Sequence, residues 1–456
     1  MKYIKHTLFL FLLIFTTTAI AQETATYNVT AGNLSSALEG TSLKDINDIK
    51  LTGTVNAADF FFIRDNIKDV KSIDMSEVRI EACEIDGVAY VANEIPAYAF
   101  YVPLASTGMS RLNTFYFPIT TESIGENALY QAIILRSTNL SELPSLKTIK
   151  SAAISRCTRL REITIPASVE EIGAAAFAYN PQLDAVTIAE GSRLSILGDN
   201  VFNGCSKISA LDFSTTRLTE VGAQAFNACP ELRNVILPSS VEYIGEEAFM
   251  YTAISDINWS HLHKLKVIEG SMFYGIGALK SVTLPHGIEE IKASAFTYCT
   301  ALANISLPYN LTTIGDWTFA NCNSLRSITC PSPVVPSLGY QAFQSVNTAN
   351  VEVKVVESIL SQYESDVVWS TFTLVGDPFT GIDTTEQQPL QLHRTSNSIE
   401  VTSAIVINAI TLYSYSGNML NKFIINDTQA IVELYENAHC IMHIGYADGR
   451  SEVIKL

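Results

Sequence analysis

Eight cysteines and seven histidines are the side chains of this 456-residue chain best suited to chemistry, and their spacing decides what they can do. Cysteines in an exported protein commonly pair as disulfides. Here Cys157, Cys205, Cys229, Cys299 and Cys322 instead recur at one phase of a repeated phrase, and Asn180 and Thr252 occupy the same slot. Side chains at one slot of successive units point the same way, which suits the disulfide torsion poorly, whereas a small buried thiol needs no partner. Reduced, structural thiols are expected. Among the histidines, His261 and His263 are two apart, too sparse a set to define a metal site. His439, Cys440 and His443 are transition-metal ligand types. On a strand, however, the two imidazoles lie roughly 13 Å apart and do not chelate one ion together with the thiol. No Walker loop, nucleotide-binding glycine fingerprint or Gly-x-Ser-x-Gly elbow occurs, and no pair of carboxylates stands out for acid–base work. The expectation is no catalytic residue, no metal and no cofactor.

What positions these side chains is a repeat. Ile172-Gly173…Ala176-Phe177, Leu197-Gly198…Val201-Phe202, Val221-Gly222…Ala225-Phe226 and Ile244-Gly245…Ala248-Phe249 share one phrase. It continues as Ile268…Met272-Phe273, Ile291…Ala295-Phe296, Ile314-Gly315…Thr318-Phe319 and Leu338-Gly339…Ala342-Phe343. Weaker copies stand at Ile124…Ala128-Leu129 and Ile149…Ala153-Ile154. The leading aliphatic falls at 124, 149, 172, 197, 221, 244, 268, 291, 314 and 338, a period of 23 to 25 residues. Such a period marks a solenoid, whose units pack only on their neighbours. The five cysteines fall three residues after the phrase's Phe (Ile154 for Cys157).

A second phrase precedes the first: Leu160-x-x-Ile163-x-Ile165-Pro166, Leu232-x-x-Val235-x-Leu237-Pro238, Leu279-x-x-Val282-x-Leu284-Pro285, Leu302-x-x-Ile305-x-Leu307-Pro308. Its last two apolar positions have the period of a strand with one buried face, and the proline ends that strand. Each coil is therefore a strand, a corner, and a return of turns or short helix. Stacked strands form a parallel sheet at about 4.8 Å spacing.

These residues resemble the leucine-rich repeats of bacterial BspA-type surface proteins, which carry the same L-x-x-I-x-L-P…I-G-x-x-A-F pattern. The resemblance implies an extracytoplasmic solenoid, often an adhesin. The fold class expected is α/β, a β-rich leucine-rich-repeat solenoid with a parallel sheet and short helical or turn returns, followed by a small C-terminal β-sandwich. Residues 1–21 read as a signal peptide: Lys2 and Lys5, an apolar run from Leu8 to Phe15, and Ala19-Ile20-Ala21 before Gln22. The apolar run is too short to span a membrane. Residues 22–94 are expected to cap the solenoid, with a short helix from Leu34 to Leu38, Asp59 capping a helix through Ile67, and Ile95…Phe100 as a divergent first repeat. The solenoid occupies 95–375, where Val351 to Val355 reads as an edge strand and Tyr363, Trp369 and Phe372 cover the last coil. A linker follows at 376–390, within which Asp383-Thr384-Thr385 resembles a short O-glycosylation signal. Residues 391–456 alternate as short strands. Ile410 to Gly417 and the closing Gly449…Leu456 resemble a type IX secretion sorting domain, although a Gly-x-Tyr usual in that family is missing near Ala438 to Ile441. The resemblance implies contact with secretion machinery.

Net charge is −17, with 47% hydrophobic and 16% charged residues, a globular and acidic composition without the basic clusters that phosphate binding requires. Nucleic acid is excluded as a partner. Attention then moves to the exposed sheet face, whose outward positions are mostly Thr, Ser and Asn. Tyr116, Asp212, Ile236, Asp256 and Asn258 depart from that carpet or punctuate it and are the candidate binding residues. Tyr179, Tyr251 and Tyr298 form a second stripe two residues after the phrase's Phe. The function expected is a secreted or cell-surface, non-catalytic, adhesin-like protein that binds a host or extracellular-matrix protein. The alternatives are a glycan-binding surface protein and a structural component of an envelope or matrix.

Overall fold

The computed structural model describes residues 25–285, 287–377, 391–394, 398–414, 419–433, 440–446 and 451–455. The signal-peptide region and the O-glycosylation signal lie outside them. Each coil opens with a short strand whose middle residue faces inward. In the Asn304–Ser306 strand Ile305 is buried between two exposed neighbours. Register from coil to coil is direct: Asn304 opposite Ser327, Ile305 opposite Ile328, Ser306 opposite Thr329, all parallel. After the proline corner a two-residue strand such as Thr313–Ile314 pairs with Glu290–Ile291 before it and Ser337–Leu338 after it. The return is made of turns rather than helices. Three α-helices occur among the described residues, Leu34–Ala37, Ala57–Asn66 and Leu360–Ser365, none within a coil that carries the Ala-Phe phrase. No helix described is long and apolar enough to cross a membrane.

The return side holds the array together. Phe177, Phe202, Phe226, Phe249, Phe273, Phe296, Phe319 and Phe343 stack in one row, with centroids 5.1 to 6.2 Å apart and interplanar angles between 5° and 30°. Offset stacking of this kind adds to the area each ring buries. Beside the row runs an axial backbone ladder. Ala175, Phe177 and Tyr179 donate their N–H groups to Asp199, Val201 and Asn203 of the next coil at 2.7 to 3.0 Å. Three alternate N–H groups point along one axis because the chain enters the left-handed region at Ala175 (φ 54°) and again at Tyr179 (φ 56°). The same two slots are left-handed in later coils, for example at Glu247 and Tyr251. The glycine of the phrase answers a different need. A Cβ on Gly222 would stand 2.4 Å from the Asp199 backbone nitrogen, so the coils meet too closely there for any side chain.

The cysteine slot lies beneath the rings. Cys205, Cys229, Cys299 and Cys322 donate S–H to the carbonyls of Phe177, Phe202, Phe273 and Phe296, at 3.1 to 3.3 Å. Asn180 at this slot bonds the Ile154 and Phe177 carbonyls, and Thr252 bonds the Phe249 carbonyl. The slot selects a small donor, and all five thiols are free and buried.

At the N-terminal end, the strands Ala25–Val29, Asp48–Val55 and Ser72–Ile80 continue the solenoid's parallel sheet into Thr114–Tyr116. The helix expected to be capped by Asp59 begins at Asn56 instead. Asn56 accepts from Ala58 N–H, and Asp59, inside the first turn, accepts from the N–H groups of Asn56, Gly32 and Leu34. That arrangement is a capping box whose carboxylate also ties down the preceding loop. In the irregular coil near 140, Asn139 replaces a strand partner by bonding both N–H and C=O of Phe117. At the far end, Glu352–Val356 is an interior strand rather than an edge. It pairs with Ser327–Cys330 and with Thr373–Asp377, whose last two residues, Gly376 and Asp377, were expected in the linker. Phe343 ends the ring row edge-on against Trp369 (5.6 Å) and Phe372 (4.9 Å). The tail is a small antiparallel β-unit. In place of the two-sheet sandwich expected there, the five described strands are hydrogen-bonded in one sheet, with a register break in the long hairpin between Thr402 and Ile407.

Two outcomes are expected. Phe296→Ala, in mid-row, should lower stability by about 3–5 kcal/mol in chemical denaturation. Burial pushes the Cys157, Cys229 and Cys322 thiols up to about 12. An unfolded thiol ionises near about 8.5, so the stability conferred by protonated thiols is whole below that pH and is lost as pH rises toward 12. Stability measured by equilibrium unfolding should fall steadily above about pH 9, and Cys229→Thr should flatten that slope.

Candidate functional site

One junction of the exposed sheet face differs from the others. Asn234–Ile236 pairs only with Ala210–Asp212, and Asp256–Asn258 only with Ser281–Thr283, so no ladder joins them. At the same junction the two-residue strands Tyr243–Ile244 and Val267–Ile268 are also unpaired with each other. The strand face breaks elsewhere too, but here both ladders part together. The return side stays intact: Phe249 N–H still reaches Met272 C=O at 3.0 Å and the two rings remain 5.8 Å apart.

Trp259 lies beneath the break. Where Leu237-Pro238 and Leu284-Pro285 carry leucine and proline, this coil has Trp259-Ser260. The buried indole packs on Phe249 (5.5 Å) and Phe273 (5.2 Å), so the core stays filled under the parted strands. The opening is a cleft of about 450 Å³, lined in part by Val235, Ile236, Asp256, Asn258 and His261. That volume falls in the range of small ligand sites, about 300–1,000 Å³. Val235 is half-buried here, whereas the equivalent Leu211, Ile257 and Val282 are buried.

Backbone polarity follows from alternation along each strand. Phe213 N–H donates to Ile236 C=O, so Ile236 faces the preceding coil and the N–H and C=O groups of Val235 and Leu237 face the cleft. Trp259 N–H donates to Thr283 C=O, so the backbone groups of Asp256 and Asn258 face the cleft from the other side. His261 Nε2 bonds the Leu237 carbonyl at 2.9 Å across one end, and Ala253 N–H bonds the Leu232 carbonyl at 2.9 Å at the other. Asp256 accepts from Ser255 Oγ (2.6 Å) and Ser281 Oγ (2.7 Å), and these bonds hold its carboxyl below the ordinary range.

The five sequence-derived candidates thus divide. Ile236, Asp256 and Asn258 line the cleft, and Asp212 lies opposite Ile236 one coil away. Tyr116 sits apart, on a strand between Ser72–Ile80 and Ser137–Thr138. His261, weighed above as a metal ligand, instead holds a backbone carbonyl. His439 lies outside the described residues, as do the side chains of Cys440 and His443. Val235 and Trp259 escaped sequence reasoning, though Trp-Ser in place of Leu-Pro was the available signal. Of the stripe read as Tyr179, Tyr251 and Tyr298, the last two are joined through Tyr274, half-exposed and edge to face at 5.8 and 5.5 Å, whereas Tyr179 lies three coils before Tyr251 with the Arg156 guanidinium over its ring. Tyr274 was missed because it precedes Gly275, shifted one residue from the stripe. The fold also gathers Arg136, Arg159 and Arg161 around a shallow cavity of about 990 Å³, beside Glu162 and Asp184. Sequence spacing hid this cluster, and its two carboxylates break up any basic stripe.

Residues 88–365 match the BspA type leucine rich repeat region in six copies, through overlapping stretches 88–209, 147–276, 191–303 and 250–365. Nothing among curated proteins matches the chain. Among solved structures, a leucine-rich repeat protein from Bacteroides ovatus is 24% identical, covering 65% of this chain and 90% of its own, with a TM-score of 0.37. The pneumococcal vaccine antigen PcpA is 16% identical over 65% of this chain and 87% of its own, with a TM-score of 0.38. A leucine rich cell surface protein from Faecalibacterium prausnitzii is 22% identical over 55% of this chain and 86% of its own, with a TM-score of 0.28.

Local opening at the junction has a direct readout. In hydrogen exchange the amides of Val235, Leu237, Asp256 and Asn258 should lose protection well before those of Ile305 and Ile328, which sit in paired strands. His261→Ala should cost about 1 kcal/mol in unfolding, the value of one hydrogen bond at a wet site.

Proposed function

The chain belongs to the BspA-type leucine-rich repeat family, and on that premise we propose that it is a secreted or cell-surface, non-catalytic protein that binds an extracellular or host protein through its strand face. The observation that carries this reading is the cleft at Ile236, Asp256 and Asn258, where the strand face opens an apolar floor beside a fixed carboxylate. An apolar floor with a few fixed polar groups is the make-up of a binding pocket. Five cysteines are spent on the core: they are buried and hydrogen-bonded to carbonyls, and desolvation holds their thiols protonated. On this reading residues 1–21 direct export, and the tail from 391 engages secretion machinery.

A second reading, glycan capture, is favoured by the half-exposed Tyr251–Tyr274–Tyr298 row, since exposed rings are platforms for sugar faces.

The test is binding of the full protein to immobilised collagen, laminin and fibronectin and to a glycan array. Capture of a matrix protein should weaken about tenfold in Ile236→Glu or Asp256→Lys, roughly 1.4 kcal/mol, with the melting temperature unchanged. Binding only to glycans, abolished by Tyr251→Ala with Tyr298→Ala, would transfer the function to the tyrosine row. Binding to neither would leave the adhesin reading without support.

A further inference from the structure

The cleft has one property a flat face lacks. Its two walls are strand edges whose backbone groups have no partner strand, facing each other across the break. Val235 and Leu237 supply them on one side and Asp256 and Asn258 on the other. Unpaired edges in register are templates for an added strand. We propose that this junction takes up an extended peptide segment of the partner protein as an added strand, which places a basic side chain beside Asp256. The proposal rests on the protein-binding reading above and names what the partner presents there.

Three observations favour a peptide over a sugar. The unmet hydrogen-bonding capacity is backbone, alternating at strand spacing. The indole nearest the cleft is buried between Phe249 and Phe273 and offers no open ring face. The Leu237 carbonyl is already met by a borrowed donor, His261 Nε2, in the place an incoming backbone N–H would take. The length is limited as well. Contacts at Leu232–Ala253 and Leu237–His261 close both ends, so a segment of three to four residues enters from the solvent face. Its inward side chain meets the half-buried Val235 and must be small and apolar. Its outward side chains meet Ile236 on one wall and the exposed carboxylate of Asp256 on the other, with Lys280 in its neighbourhood.

A library of random linear dodecapeptides displayed on phage, selected on the full protein, tests this. Selected peptides should alternate a small aliphatic with Lys or Arg, and synthetic copies N-methylated at alternate residues should not bind. Val235→Pro removes an N–H that faces the cleft and no strand, so the fold should survive, as proline is tolerated at strand edges. It should weaken the peptides about tenfold or more, and Asp256→Asn should weaken them about threefold, roughly 0.7 kcal/mol. Selection of no peptide, peptides indifferent to N-methylation or to Val235→Pro, or competition by a neutral oligosaccharide each overturns the proposal. Matrix-protein binding that persists undiminished in Val235→Pro sinks strand insertion and leaves the broader binding reading standing. Peptide capture without any matrix-protein binding does the reverse.

Discussion

Every coil of this protein is held in a backbone conformation it would not keep alone. Two residues per return sit in the left-handed region, and except at Gly204 and Gly275 in the second slot they are non-glycine, at a cost of about 1–3 kcal/mol each. What offsets that cost comes from the next coil: carbonyls that accept the N–H groups those turns aim along the axis, and a phenylalanine ring to stack on. Local strain and neighbouring support are thus one device, and the array is cooperative from coil to coil rather than within a coil. The same dependence explains the ends. Phe60 and Phe100 meet at 5.9 Å on the N-terminal side, while Trp369 and Phe372 close the other, because an unsupported ring row would leave its last coil strained and wet.

Much of this was legible in the sequence because the constraint repeats. Ile-Gly, Ala-Phe and Leu-Pro each mark a position where the coil has little choice: close approach at Gly222, a buried ring at Phe226, a strand end at Pro238. The cysteine slot was readable for the same reason, since Asn180 and Thr252 share with cysteine only small size and a donor. Elements that occur once were read less well. Asn56 and Asp59 are both acceptable caps, and which one leads depends on the loop carrying Gly32 and Leu34, 25 and more residues away. Val351 to Val355 alternates like an edge, yet a further strand at Thr373–Asp377 arrives to cover it.

The candidate site follows the same division. Ile236, Asp256 and Asn258 stood out as exceptions to a Thr, Ser and Asn carpet, and the fold sets them around one opening. The opening itself was not readable from those residues. It is a gap in strand pairing above the buried Trp259, and pairing between coils is not written in any one exposed residue. A solenoid of regular stacking presents a monotonous surface; a gap between two strands makes a feature on the outside without disturbing the ring row beneath it.

The thiols beneath the rings bear on how such an array changes length. Each S–H is satisfied by a carbonyl of the adjoining turn and by no other cysteine, even though the chain reads as destined for an oxidising exterior. A scaffold stapled by disulfides cannot gain or lose a segment without stranding half a bridge. Here, duplicating or deleting one turn of the spiral leaves every sulfur with an equivalent acceptor. Growth by unequal copying is therefore chemically silent, and reach can be adjusted without redesigning the interior.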